Sequence, residues 1–159
     1  MQPDHPTAYL RKGTWLLAEK RIEDAAAALA VSATTPEAAD NAANLIFNEA
    51  YANGFQKEDW AYSIRGMVAA KQLPNVSTNM MEQLNFWHGF SVFQRTRPLI
   101  PAEPALADAQ RAQPGFQEAK DLLSRAGGYP GRVQMDMAAL MSGVDQYLEI
   151  CELVIRRGY

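Results

Sequence analysis

The chain has 159 residues, a net charge of -3 and 48% hydrophobic residues. This length suffices for one domain with a buried core, and this hydrophobic content excludes a largely disordered chain. The acidic balance argues against nucleic-acid binding, which usually requires a basic face, and no apolar run approaches the roughly 18 residues of a membrane span.

The first residues, 1–6, are polar and rich in proline, so no signal peptide is visible. Cys151 is the single cysteine, which excludes an internal disulfide and leaves the redox compartment undecided. A cytoplasmic protein is favoured, and export stays open if a signal peptide has been removed. Residues 3–6 are typical of a linker between helical units, and Gly158 is a suitable helix C-cap. We therefore expect a piece of a longer protein.

Helix is the expected structure throughout the chain. Alanine, leucine, glutamate and glutamine are abundant, and no alternating run of β-branched residues occurs. Prolines and glycines divide the chain into segments. The predicted helices cover residues 6–19, 22–34, 36–53, 57–72, 77–95, 103–126 and 132–157.

One spacing recurs in three of these helices. A bulky residue is followed by a small one at +3, a bulky one at +7, a small one at +10 and a proline at +14. These offsets lie along one helical face, where small residues allow close approach and bulky ones fill the space between helices. The three sets are Ile22, Ala25, Leu29, Ser32 and Pro36; Trp60, Ser63, Met67, Ala70 and Pro74; and Phe116, Ala119, Leu123, Ala126 and Pro130.

The helices that precede these three also align, more loosely. Two of them share a bulky residue, a glycine and a bulky pair, and the middle one departs from the pattern twice. The aligned positions are Leu10, Gly13, Leu16 and Leu17; Asn44, Phe47, Ala50 and Tyr51; and Phe86, Gly89, Val92 and Phe93.

This combined pattern resembles the tetratricopeptide (TPR) family, whose unit is two antiparallel helices of about 34 residues. The resemblance implies an all-α fold over residues 1–159. We expect an α-solenoid of three TPR-like hairpins with a long C-terminal capping helix. The repeats would cover residues 6–36, 36–74 and 77–130, and the capping helix residues 132–157.

The last predicted helix is strongly amphipathic, with apolar residues at the 3–4 spacing of one stripe. A helix that covers the last repeat is one interpretation, and a dimer or partner surface is the other. The stripe consists of Met137, Leu140, Val144, Tyr147, Cys151 and Val154.

Helix 77–95 is apolar on two nearly opposite faces, which favours a central, buried position. Either the insertion 96–104 folds over it, or one aromatic face is exposed as a binding surface. Met80, Met81, Leu84 and Trp87 form one face, and Phe86, Phe90 and Phe93 form the other.

No pattern indicates catalysis or metal binding. His5 and His88 are the only histidines and have no ligand spacing, and Cys151 lies on the apolar stripe, where a thiol is usually inert. Gly127–Gly131 is rich in glycine but precedes no lysine of a phosphate-binding loop. We predict no enzyme activity, no cofactor and no metal.

In a TPR-like solenoid the first helices of successive pairs line the inner groove. Asn41, Asn44 and Asn48 form one stripe of helix 36–53, and amides both donate and accept hydrogen bonds. The resemblance implies peptide binding there, and a plain solvated face is the alternative. The equivalent positions on the flanking helices are Thr7, Arg11, Thr14, Asn85 and His88. Arg11 is suited to a carboxylate or a chain terminus.

The resemblance thus implies a non-catalytic scaffold module that binds a protein or peptide of unidentified sequence. A first alternative is homo-oligomerisation through the final helix or the Phe86–Phe93 face. A second is an enzyme or small-molecule binder with a pocket near Trp87 and His88.

Overall fold

A computed structural model describes residues 5–131 and 136–158. Within these ranges the chain is all-α and contains no strand, which confirms the all-α part of the predicted fold. Each helix boundary falls within three residues of its prediction, except that 132–135, the predicted start of the last helix, lie outside the described residues. The helices are α1 (Pro6–Ala18), α2 (Ile22–Ser32), α3 (Pro36–Asn53), α4 (Trp60–Lys71), α5 (Thr78–Thr96), α6 (Leu106–Ser124) and α7 (Met137–Arg157).

The start of α4 differs from the prediction. Residues Phe55–Lys57 form a short 3-10 turn, and Glu58 has a left-handed backbone with φ of 57°. The helix begins only at Trp60, where the Asp59 carboxylate accepts a hydrogen bond from the Tyr62 backbone N–H at 3.0 Å. Because this side chain satisfies a backbone donor that has no partner within the helix, Asp59 fixes the first turn.

The chain divides into two compact units, Met1–Leu84 and Asn85–Tyr159, with the boundary inside α5. In the first unit α1 packs on α2, α3 packs on α4, and α2 contacts both α3 and α4. A glycine allows the closest approach of the first pair, since a Cβ atom at Gly13 would lie 2.5 Å from Leu29 Cγ. A Cβ atom at Gly66 would overlap Ala50 in the second pair.

In the second unit a cluster of aromatic rings lies between the helices. The Phe116 ring lies 4.9 Å from the Tyr147 ring and 6.0 Å from the Phe93 ring, between centroids. Around these rings α7 packs along α6 and buries Val144, Leu148 and Cys151. The final helix therefore contacts α6, and Cys151 is buried as its place on the stripe predicted.

The repeated spacing marks buried positions in both units. All but two of its twelve non-proline positions are buried, and Ser32 and Trp60 are half-buried. Gly89 repeats in the second unit what Gly13 does in the first, because a Cβ atom there would lie 2.9 Å from Leu123 Cγ. Leu29 and Leu123 occupy the same place in the repeat. The sequence repeat thus corresponds to a repeated helix contact.

An exposed aromatic face was one of two alternatives for α5, and the structure does not support it. Phe86 and Phe93 are buried, and rings from outside α5 pack against them. Tyr129 lies 5.3 Å from Phe86, and Tyr147 lies 5.8 Å from Phe93, between ring centroids. Two buried rings do not suit the alternative in which the Phe86–Phe93 face forms a homo-oligomer surface.

Candidate functional site

Helix α3 is anchored at its start and buried along one side. Thr35 caps it by accepting a hydrogen bond from the Ala38 backbone N–H at 3.2 Å, and Pro36 occupies the first turn, where no backbone donor is needed. Four alanines and two bulky residues form the buried side. The buried residues are Ala39, Ala42, Ala43, Ile46, Phe47 and Ala50. This packing fixes which side chains α3 presents to solvent.

Three polar side chains of α3 make hydrogen bonds within the first unit. Asp40 Oδ1 accepts from the Ser77 backbone N–H at 2.8 Å, which fastens α3 to the start of α5. Glu49 Oε1 accepts from the Asn53 side chain at 3.0 Å, one turn further along α3. These side chains serve the fold.

Glu49 is the centre of a polar cluster that joins three parts of the chain. Its Oε1 atom accepts hydrogen bonds from Tyr62 Oη at 2.8 Å and from Lys20 Nζ at 3.2 Å, besides the bond from Asn53. The Lys20 ammonium also lies 5.5 Å from the centre of the Tyr62 ring. Partial burial, together with the Glu49 carboxylate, raises the pKa of Tyr62 above its ordinary value. The cluster ties the α1–α2 turn to α3 and α4.

Asn41, Asn44 and Asn48 lie on the solvent-exposed side of α3. Their spacing of three and four residues places them on one stripe. Among the described residues, none makes a hydrogen bond to any of these three amides. Each amide can therefore donate and accept hydrogen bonds with a molecule outside the chain. This availability distinguishes the stripe from the engaged polar residues on the same helix.

Helix α1, which contacts α3, carries the other predicted residues of the first unit. Thr7, Arg11 and Thr14 are exposed. The Thr14 hydroxyl donates to the Leu10 backbone carbonyl at 2.9 Å, so it is partly used within its own helix. Arg11 is exposed and forms no ion pair within residues 5–131 and 136–158.

The predicted residues of the second unit have a different environment. Asn85 and His88 are buried, with 8% and 5% of their surfaces exposed. His88 Nε2 lies 3.9 Å from Glu118 Oε1 on α6. This burial does not fit an open groove at these two positions, and the amide stripe with Arg11 remains the candidate site.

Trp87 and His88, where a small-molecule pocket was the second alternative, belong to the interior. Trp87 is buried, its ring packs edge-on against Phe86 with centroids 5.2 Å apart, and its Nε1 donates to Tyr129 Oη at 3.1 Å. The indole is thus used by the packing of the second unit.

The part of the chain that the structure describes contains no cluster of three or more histidine, cysteine, aspartate or glutamate side chains suited to a metal. Burial raises the pKa of the Cys151 thiol, which lowers its reactivity as a nucleophile. No helix among these residues has both the length and the apolar character needed to cross a membrane.

Comparison with known protein families, curated proteins and solved structures found no match to this chain.

Proposed function

We propose that this protein is a non-catalytic module that binds an extended peptide segment along the exposed side of α3, next to α1. In this proposal the helix pairs form a TPR-like solenoid, and the stripe faces its groove. The observation that carries the proposal is the availability of three aligned amides on a helix where Asp40, Glu49 and Asn53 are engaged in hydrogen bonds. Asparagine is a poor helix former, so three on one stripe are not explained by helix stability.

The geometry of the stripe suits a peptide backbone. Neighbouring stripe residues on a helix lie about 5–6 Å apart between Cβ atoms, and an extended chain repeats every two residues, about 6.6 Å. Asn41 and Asn48 are seven residues apart, a rise of about 10.5 Å along the helix. The stripe can thus pair with about three residues of extended peptide. Because amides bond the backbone, this contact alone carries little side-chain specificity.

Arg11 supplies the charge of the proposed site. A guanidinium binds a carboxylate with two parallel hydrogen bonds, which are stronger than neutral ones. Its place on α1 beside α3 suits a ligand with an acidic side chain or a free C-terminus. We therefore expect peptides with one carboxylate near the segment that pairs with the amides.

The proposal is tested with a displayed library of random linear peptides. Peptides enriched on the native protein are synthesised, and their dissociation constants are measured for the native protein and for Asn44→Ala/Asn48→Ala. Loss of two hydrogen bonds at about 1 kcal/mol each predicts about 30-fold weaker binding. Arg11→Ala should weaken acidic peptides and leave the affinity of amidated, neutral ones unchanged.

The matched control is Asn79→Ala/Gln110→Ala, which removes two exposed amides on α5 and α6. It should bind the same peptides with native affinity. Equal affinity of the native protein and the Asn44/Asn48 variant would remove the stripe from the binding site. A native protein that enriches no peptide family would contradict peptide binding itself.

A further inference from the structure

The outer side of the α1–α2 pair carries a groove with a large exposed aromatic wall. Trp15 is 58% exposed, although its neighbours Leu16 and Leu17 are buried. The groove has a volume of about 340 Å³, and its lining includes Tyr9, Lys12, Trp15, Arg21, Asp24 and Ala27. Exposed tryptophan is costly to hydrate and is enriched among the residues that dominate protein interfaces. This groove is distinct from the amide stripe.

One positive charge of the groove has no ion-pair partner among the described residues. Arg21 pairs with Asp24, their side chains being 2.7 Å apart, so these two charges cancel. Lys12 makes no ion pair with any described residue. The groove therefore offers an apolar wall and one available cation.

The solvent side of α7 presents the complementary chemistry. Leu153 is 49% exposed and Ile150 is 38% exposed, while the opposite side of the helix packs on α6. Glu149 lies one turn before Leu153 on the same face and is exposed. Glu152 is paired with Arg156 at 3.3 Å, whereas Glu149 has no ion pair within the described ranges. This face therefore offers an apolar ridge and one available carboxylate.

We propose that the solvent face of α7 of one copy docks in the α1–α2 groove of a second copy. Leu153 then packs on Trp15, and Glu149 pairs with Lys12. On each surface a charged residue lies within one turn of a large apolar residue, so both contacts form together. The interface joins two different surfaces and is heterologous, so it extends into rings or chains.

The mass in solution tests this proposal. Sedimentation equilibrium over a concentration series should show the native weight-average mass rising above the 17.6 kDa of one chain. Trp15→Glu and Leu153→Glu should each hold the mass at one chain, with unchanged helicity, because both side chains are about half exposed. Val68→Glu, at a 38% exposed position on α4, is the matched control and should associate as the native protein does.

A mixture of the two variants tests which surfaces meet. The Trp15→Glu copy keeps an intact α7 face, and the Leu153→Glu copy keeps an intact groove. Together they should form a one-to-one dimer of about 35 kDa, twice the 17.6 kDa chain, that does not grow further. Lys12→Glu alone should weaken native association, and Lys12→Glu/Glu149→Lys should restore it.

Three results would overturn the proposal. The first is a native protein that stays at the mass of one chain up to about 1 mM, the weak limit of specific association. The second is a Trp15→Glu variant that still self-associates, since α7 would then pair with α7. The third is a mixture of the two variants that forms no dimer. The first result would leave the groove for a helix of a different protein.

Discussion

Replacing Asn44 and Asn48 by alanine is expected to stabilise the protein while it weakens peptide binding about 30-fold. Both side chains are exposed, and no described residue bonds to their amides, so the substitution removes no internal interaction. Asparagine within a helix is about 0.6 kcal/mol less favourable than alanine. The two changes together should raise the free energy of unfolding by about 1 kcal/mol. For a chain of this size that corresponds to about 2–5 °C in Tm.

The assay is urea unfolding followed by far-ultraviolet circular dichroism, with thermal unfolding as a second measurement. The slope of the free energy against urea should not change, since the surface exposed on unfolding is nearly the same. When the free energy of unfolding is measured together with the peptide affinity, an effect on folding is distinguished from an effect on binding. A variant that is more stable and binds about 30-fold more weakly has lost a binding surface without structural damage.

A decrease in stability would refute the reasoning. It would mean that the two amides make hydrogen bonds that hold the native fold, and the stripe would then belong to the structure. Unchanged stability with unchanged peptide affinity would leave α3 as a solvated face.

Three further predictions concern packing and protonation. Gly89→Ala should destabilise the protein, because its Cβ atom would lie 2.9 Å from Leu123 Cγ. The cost of overpacking, about 1–3 kcal/mol, exceeds the gain in helix propensity of about 1 kcal/mol. Gly143→Ala, whose nearest contact is at 3.5 Å, should stabilise the protein in the same urea assay. Glu49→Ala should lower the free energy of unfolding by about 2 kcal/mol, because three donors lose their acceptor. Cys151 should resist alkylation at pH 8 until the protein unfolds. Burial raises the pKa of its thiol in the folded state. The stability that the neutral thiol contributes is therefore fully present below the unfolded-state pKa of about 8.5 and decreases as the pH rises above that value.

A different result would contradict each of these three predictions. A rise in stability for both glycine variants would show that Gly89 is not a close-contact position. A neutral Glu49→Ala would show that solvent replaces the carboxylate in the cluster. Rapid native alkylation of Cys151 would show that its thiol is reached without unfolding.

The helix positions could be predicted because proline and capping residues act locally. Thr35 and Pro36 start α3 at the predicted residue, since their effects reach only one turn. The predicted start of α4 at residue 57 was wrong because Glu58 adopts a left-handed backbone conformation, which a glutamate in the sequence does not predict. The repeated spacing also identified buried positions, because in each unit this face of the helix packs against a neighbouring helix.

The candidate site was predicted only where it lies on one helix. The asparagine stripe follows from helical periodicity, and the exposed side of α3 contains it. The Glu49 cluster could not be predicted, because Lys20 is 29 residues away and Tyr62 is 13 residues away, and no local pattern couples them. The burial of Asn85 and His88 depends on neighbours of α5 that helix periodicity does not identify.

The amide stripe and the groove at Trp15 are testable independently, because none of the three asparagines lines the groove. If peptide binding and self-association are separate properties, Asn44→Ala/Asn48→Ala should bind peptides about 30-fold more weakly and keep the native concentration dependence of the mass. Trp15→Glu should lose association and keep its affinity for neutral, amidated peptides, because the new carboxylate lies one turn from Arg11. A single variant that loses both would mean that association forms or blocks the peptide site, as when α7 of a neighbouring copy lies against α1 close to Arg11. Arg11→Ala then distinguishes these cases, since it should weaken acidic peptides without lowering the mass only if the two surfaces act separately.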